Sequence, residues 1–157
     1  MANRQLSAEL TNMIMIQDPC TQKVLLQKRE LSWAGVAFPG GHVEKGESFY
    51  CSALREVKEE TGLIVSQLKF CGVVHWCNLD TNERYLVFLY KTTHFAGELL
   101  EHTEEGPNFW ASIEDIPTME CSPHFLNYLS LFQKEQPGEF FATESEKEGK
   151  IQFIEVF

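Results

Sequence analysis

The chain has 157 residues, enough for one domain with a substantial core and short for two. Its 43% apolar and 23% charged residues are those of a soluble globular protein. A formal net charge of −10 with no basic arm argues against nucleic-acid polymers and anionic membranes as partners. Small phosphate compounds stay open, because a bound divalent cation reverses the local field.

Five cysteines (Cys20, Cys51, Cys71, Cys77, Cys121) are an odd number and form no C-x-x-C pair. That speaks against a disulfide framework or a zinc site and for a reducing compartment. The start of the chain has no apolar leader core, and no apolar run approaches a membrane span. The expectation is a single domain over residues 1–157, cytoplasmic, as a monomer or a homodimer.

In chain order, Leu10 to Ile16 and Val24 to Gln27 are apolar segments flanking Asp18-Pro19, a turn signal, and together predict a hairpin. A loop from Arg29 to Gly35 leads to a short strand at Val36 to Phe38, which Pro39-Gly40-Gly41 breaks. From Ser48 to Thr61 the period is helical, with Ser48 as N-cap and Gly62 as the residue that ends it. Tyr50, Ala53, Leu54, Val57 and Thr61 share the face to be buried.

Strands are predicted at Leu68 to Trp76, at Arg84 to Lys91 (a central one, apolar on both faces) and at Asn108 to Ser112. A turn at Glu114 to Pro117 precedes a second helix over Pro123 to Gln133. Glu139 to Thr143 and Ile151 to Phe157 flank a polar turn and predict a terminal hairpin. The sum is an α+β domain, a mixed sheet with helices packed on it.

Glu56, Glu59 and Glu60 fall within one arc of the predicted helix. By themselves, three such glutamates are more often a solvated acidic face. Pro39-Gly40-Gly41, where backbone carbonyls can approach a cation, and the pair Glu47 and Arg55 shift that balance. Oxygen donors gathered this way suit Mg²⁺ or Mn²⁺.

The segment from Gly41 through Glu47, Arg55, Glu56, Val57, Glu59, Glu60, Gly62 and Leu63 resembles the Nudix box, G-x5-E-x7-R-E-U-x-E-E-x-G-U with U aliphatic. Every specified position matches, for which the chance by composition alone is on the order of 10⁻⁷. The lead-in Phe38-Pro39-Gly40-Gly41 and the later Trp110…Ile116-Pro117 are also similar to that family.

The resemblance implies an α/β/α sandwich and hydrolysis of a nucleoside diphosphate linked to another group, with box residues 41–63 at the centre. It implies metal ligation by Glu56, Glu59, Glu60 and the carbonyl of Gly40 or Gly41, and Glu56 as a frequent general base. Arg55 would pair with Glu47 or a helix glutamate and orient the cluster. A further carboxylate from Glu104 or, by preference, Glu105 would come from a loop outside the box.

Trp110 lies in a segment similar to the one with which oxidised-nucleotide-sanitising members hold the purine, although a core tryptophan is as reasonable a reading. Trp33 and Phe38 are the alternative base contacts. A nucleoside triphosphate pyrophosphohydrolase yielding monophosphate and pyrophosphate, acting on 8-oxo-dGTP-type nucleotides, is the leading expectation. Hydrolysis of ADP-ribose or a nucleotide sugar is the alternative within the same chemistry. A non-catalytic nucleotide sensor is the alternative outside it.

Overall fold

The computed structural model describes residues 3–147 and 151–157, and of 151–153 the backbone alone. The polar turn expected before Ile151 falls partly outside the described residues. Strand β1 (Ala8–Ile16) is followed by β2 (Val24–Arg29), β3 (Gly35–Ala37) and helix α1 (Phe49–Thr61). Then come β4 (Ile64–Ser66), β5 (Lys69–Asn78), β6 (Arg84–Thr92), β7 (His94–Ala96), β8 (His102–Thr103) and β9 (Gly106–Ala111). A 3₁₀ turn at Ile113–Thr118 precedes α2 (Phe125–Tyr128), and β10 (Gly138–Glu144) with β11 (Ile151–Val156) closes the chain.

The main sheet is mixed and five-stranded, in the order β1-β6-β5-β10-β11. β1 and β6 run parallel, as do β5 and β10, while β5–β6 and β10–β11 are antiparallel. A four-stranded sheet, β3-β2-β9-β8, and the small pair β4-β7 complete the fold. The α+β class and the terminal hairpin are as expected from sequence, and β6 is a central strand.

The hairpin expected between β1 and β2 is not formed. The two segments meet only through the bridge Gln17–Val24 and then diverge into different sheets. The physical reason is visible in the burial of β1: Thr11 to Ile16 are all buried, on both faces. Such a strand belongs in a parallel pairing covered on both sides, which β6 supplies over nine register positions.

Alternation along β1 sends its residues into two separate cores. Met13 and Met15 pack with Phe38, Phe125, Leu131 and Phe132 on one face of the sheet. Ile14 and Ile16 pack with Ala53 and Val57 of α1 on the other. The expected second helix is a single turn of α-helix continued by a 3₁₀ turn at Leu129–Phe132. Tighter winding, at about three residues per turn, keeps Phe125, Tyr128 and Leu131 on one buried line.

Helix α1 starts and stops where its sequence signals stand. The Ser48 hydroxyl accepts from the Cys51 amide at 3.1 Å, and Gly62 closes the helix at φ 77° with its N–H on Lys58 O. Among the described residues no helix is long and apolar enough to cross a membrane.

Candidate active site

The Gly40-Gly41 segment lies beside β1 and is held there by its backbone. Asn12 N–H donates to Gly41 O at 2.9 Å, Ile14 N–H to Pro39 O at 2.8 Å, and Val43 N–H to Leu10 O at 2.9 Å. Gly40 faces the other way, and its N–H donates to Glu60 Oε2 at 3.0 Å. Pro39 O and Gly41 O are thus taken up by β1, whereas the Gly40 N–H between them is taken up by the helix. Gly41 has its own reason to be glycine: a Cβ there would collide with the Glu56 carboxyl.

A buried polar bracket locks this segment to the helix. Asn12 Nδ2 donates to Ser52 Oγ at 2.7 Å, and Asn12 Oδ1 accepts from Gly41 N at 3.2 Å. Ser52 Oγ in turn donates to His42 O at 3.3 Å. Strand, loop and helix therefore share one register, and the carbonyl and carboxylates cannot drift independently.

The three glutamates of the arc divide in two. Glu60 is buried and Glu56 nearly so, with 12% of its side chain exposed, and both line a cavity of about 310 Å³. Glu59 is 59% exposed, turned onto Arg55 Nη1 at 3.0 Å, and lies outside that cavity. One helical turn apart, Glu56 and Glu60 share an inward line, while Glu59 shares an outer line with Arg55.

Arg55 pairs with both Glu47 and a helix glutamate, the contacts expected from the sequence. Its Nε and Nη2 grip both oxygens of Glu47 at 2.8 and 3.0 Å, and Nη1 reaches Glu56 Oε1 at 2.8 Å. A fifth contact, from Nη2 to His42 O at 2.9 Å, ties it to the loop. The Arg55 guanidinium, with help from the Glu44 amide, holds the Glu47 carboxyl down to about 2. The Glu47 hydrogen bonds in turn raise the pKa of Arg55, so this pair is a permanent ion pair.

The inward carboxylates are shifted the other way. Burial pushes the Glu60 carboxyl up to about 7, against the opposing pull of the Gly40 N–H and the Arg29 charge. Burial also raises Glu56, partly offset by Arg55. Two inward carboxylates that burial raises, one held by the Gly40 N–H and one by Arg55, form an oxygen set that a hard divalent ion would suit. Among the described residues no three acidic, histidine or cysteine side chains form a ready-made cage. These oxygen donors fit a hard divalent cation, which would take one or two of the carboxylates and complete its shell with water and phosphate oxygens.

The loop carboxylate preferred from sequence, Glu105, lines the cavity and its charge acts on Glu60, whereas Glu104 is exposed and does not line it. Of the aromatic residues singled out, only Trp33 lines the cavity. Phe38 is fully buried, edge-on to Phe125 and Phe132 at 5.0 and 4.9 Å, and serves as core. Trp110 packs at 5.3 Å against Phe95 in the core beside α1. Its position on β9 opposite Leu25 puts its side chain on the helix side of the sheet, away from the cavity.

Sequence reasoning missed Asn12, Arg29, Trp76, Tyr85 and Tyr128, all of which line the cavity. Asn12 left a signal, a polar residue in the middle of an apolar strand. Trp76 and Tyr85 are opposed across β5 and β6, and Tyr85 lies 6.2 Å from Trp33, ring to ring. The Ser122 hydroxyl holds the Trp33 loop by donating to Trp33 O at 2.6 Å. Along β1 the register places Glu9 beside Tyr85 and Asn12 beside Phe88. The aromatic end is thus three residues, about 10 Å, from the Gly40 end.

Comparison with known proteins agrees with this geometry. The NUDIX domain matches residues 10–147. The uncharacterized Nudix hydrolase YvcI of Bacillus subtilis is 30% identical over 140 residues, covering 85% of this chain and 86% of that protein. The oxidized purine nucleoside triphosphate hydrolase of Mus musculus is 30% identical over 122 residues, 74% of either chain. The crystal structure of the MutT protein from Bacillus halodurans has the same fold, with a TM-score of 0.79 at 19% identity over 94% of this chain and 97% of that one. A domain match across most of the sequence and a relative aligned along nearly all of it show that this protein belongs to the Nudix family and is a hydrolase of phosphoanhydride bonds.

Proposed function

We propose that the protein is a Mg²⁺-dependent purine nucleoside triphosphate pyrophosphohydrolase, with Mn²⁺ as a competent substitute, and that oxidised purine nucleotides are among its substrates. The observation that carries the reading is the cavity itself. Glu56 and Glu60 stand beside Gly40 at one end, and Trp33, Trp76 and Tyr85 gather about 10 Å along the strands. That span suits a nucleotide with its base among the rings and its phosphates at the carboxylates. The name of the mouse relative points to the same substrate class.

Glu56, Glu60, the Gly40 carbonyl and Glu105 would hold the cation. When bound, it neutralises the phosphates and brings the pKa of a coordinated water toward neutrality. The protein supplies the rest. Gly40 N–H fixes Glu60 Oε2, and Arg55 engages Glu56 Oε1, leaving Glu56 Oε2 to accept the proton of the attacking water. The in-line attack forms one P–O bond as the P–O–P bridge breaks, releasing monophosphate and pyrophosphate. Arg55, locked on Glu47, keeps the base oriented without touching the substrate.

The test is a panel of normal and oxidised purine and pyrimidine triphosphates, ADP-ribose and nucleotide sugars, assayed with Mg²⁺ and with chelator. The expected result is pyrophosphate release from purine triphosphates that chelation abolishes. Release of inorganic phosphate from triphosphates, or turnover confined to ADP-ribose or sugar conjugates, would refute the substrate assignment.

A further inference from the structure

Among the described residues lining the cavity Arg29 is the only lysine or arginine, while Glu44, Glu56, Glu60 and Glu105 supply four carboxylates. Despite those neighbours it is unpaired: among the described residues none of the ion pairs includes it. Its Nε is shielded from solvent and has no hydrogen-bond partner among the described residues. Burying a guanidinium N–H without an acceptor is costly, and in a folded protein an orphaned donor of this kind signals an absent partner.

The position of Arg29 defines that partner. It ends β2 opposite Gly35, and the next residue is tied to the loop carboxylate segment by Glu30 N–H on Glu105 O at 3.0 Å. It lines the same cavity as Glu60 of the acidic end and Tyr85 and Tyr128 of the aromatic end, and its charge acts on all three. It is therefore within electrostatic reach of both ends. A planar guanidinium offers two parallel N–H donors, a match for two oxygens of one phosphate.

We propose that Arg29 is the binding residue for the phosphate adjoining the ribose, the group that lies between a stacked base and the bridge to be cleaved. The proposal rests on the nucleotide reading above and adds a protein cation that holds the substrate directly. It accounts for how an acidic cavity retains the monophosphate portion of an anionic substrate, and why the orphaned N–H persists.

The experiment is calorimetric titration of dGMP and of deoxyguanosine, both in chelator so that no metal contributes, into wild type, Arg29→Gln and Arg29→Lys. In wild type the monophosphate is expected to bind roughly 10- to 100-fold more tightly than the nucleoside. Arg29→Gln should erase that difference and leave deoxyguanosine affinity unchanged. Arg29→Lys, which keeps the charge and loses the fork, should retain part of it. Equal weakening of both ligands, an intact difference in Arg29→Gln, or no difference in wild type would overturn the proposal. Failure of the triphosphate reading shows separately, as absence of hydrolysis on the substrate panel.

Discussion

The acidic and aromatic ends of the cavity are built in different ways. At the acidic end almost every functional atom comes from one continuous stretch, residues 40–60, and is cross-tied by Arg55 and by the Asn12–Ser52 bracket. At the aromatic end Trp33, Trp76, Tyr85 and Tyr128 come from four separate segments, a loop, two strands and α2, that only the tertiary fold brings together. The first end is rigid and local, suited to the same reaction on any substrate. The second is assembled by tertiary contacts, and a change in any one segment alters what fits. Chemistry and selectivity are therefore expected to fail separately under mutation.

The largest effect should come from the acidic end. Glu60→Gln and Glu56→Gln are expected to lower kcat by roughly 10²- to 10⁴-fold with little change in KM for the nucleotide, as read by steady-state pyrophosphate release. Next in size, Arg55→Ala should cost roughly 10- to 100-fold in activity, since three carboxylates lose their orienting partner. A loss confined to KM in either case would show that the two ends are not separable.

Trp33→Ala should show the opposite signature, KM raised about 5- to 100-fold with kcat nearly intact. Trp110→Ala is its control. Because that ring packs on Phe95 outside the cavity, the substitution should lower the melting temperature and leave KM alone. A rise in KM for Trp110→Ala would restore the base-binding role that its position in the fold denies.

The smallest effect is in stability. Glu60 titrates near 7 in the folded protein against 4.5 for an ordinary glutamate, so the folded state binds the proton more tightly than the unfolded one. In chelator, this contribution is present below about pH 4.5 and is lost as pH rises through about 7. The loss is of order 1–3 kcal/mol in denaturant melts. Added Mg²⁺ should remove the decline. Glu47 has the reverse sign, stabilising above about 4.5 and losing its contribution as pH falls through about 2. A flat profile in chelator would contradict the burial of Glu60.

The difference in construction also explains what could be read from the sequence. Gly41, Glu47, Arg55, Glu56 and Glu60 sit at fixed offsets because a helix and its lead-in loop turn spacing into position, so their convergence was legible before any fold was known. The division between inward Glu60 and outward Glu59 was not, since it depends on which side of α1 meets Gly40. Whether Trp110, Trp33 or Phe38 meets the cavity was open in the sequence because aromatic residues look alike in a chain, and only the face of the strand separates a ring in the core from a ring in the cavity. Tyr85 and Trp76 gave no local signal at all. Their pairing across β5 and β6 and the place of Tyr85 beside β1 arise from long-range register, including the parallel β1–β6 pairing that differs from the expected hairpin.

The most direct measurement of whether the cavity has two independent ends is binding without turnover. Titrating dGMP in chelator into wild type, Glu60→Gln and Trp33→Ala reports affinity with the reaction silent. Glu60→Gln is expected to bind within about threefold of wild type, or slightly more tightly because one carboxylate charge is gone, while Trp33→Ala binds about tenfold or more weakly. Unchanged affinity in Trp33→Ala, or a comparable loss in Glu60→Gln, would contradict that independence.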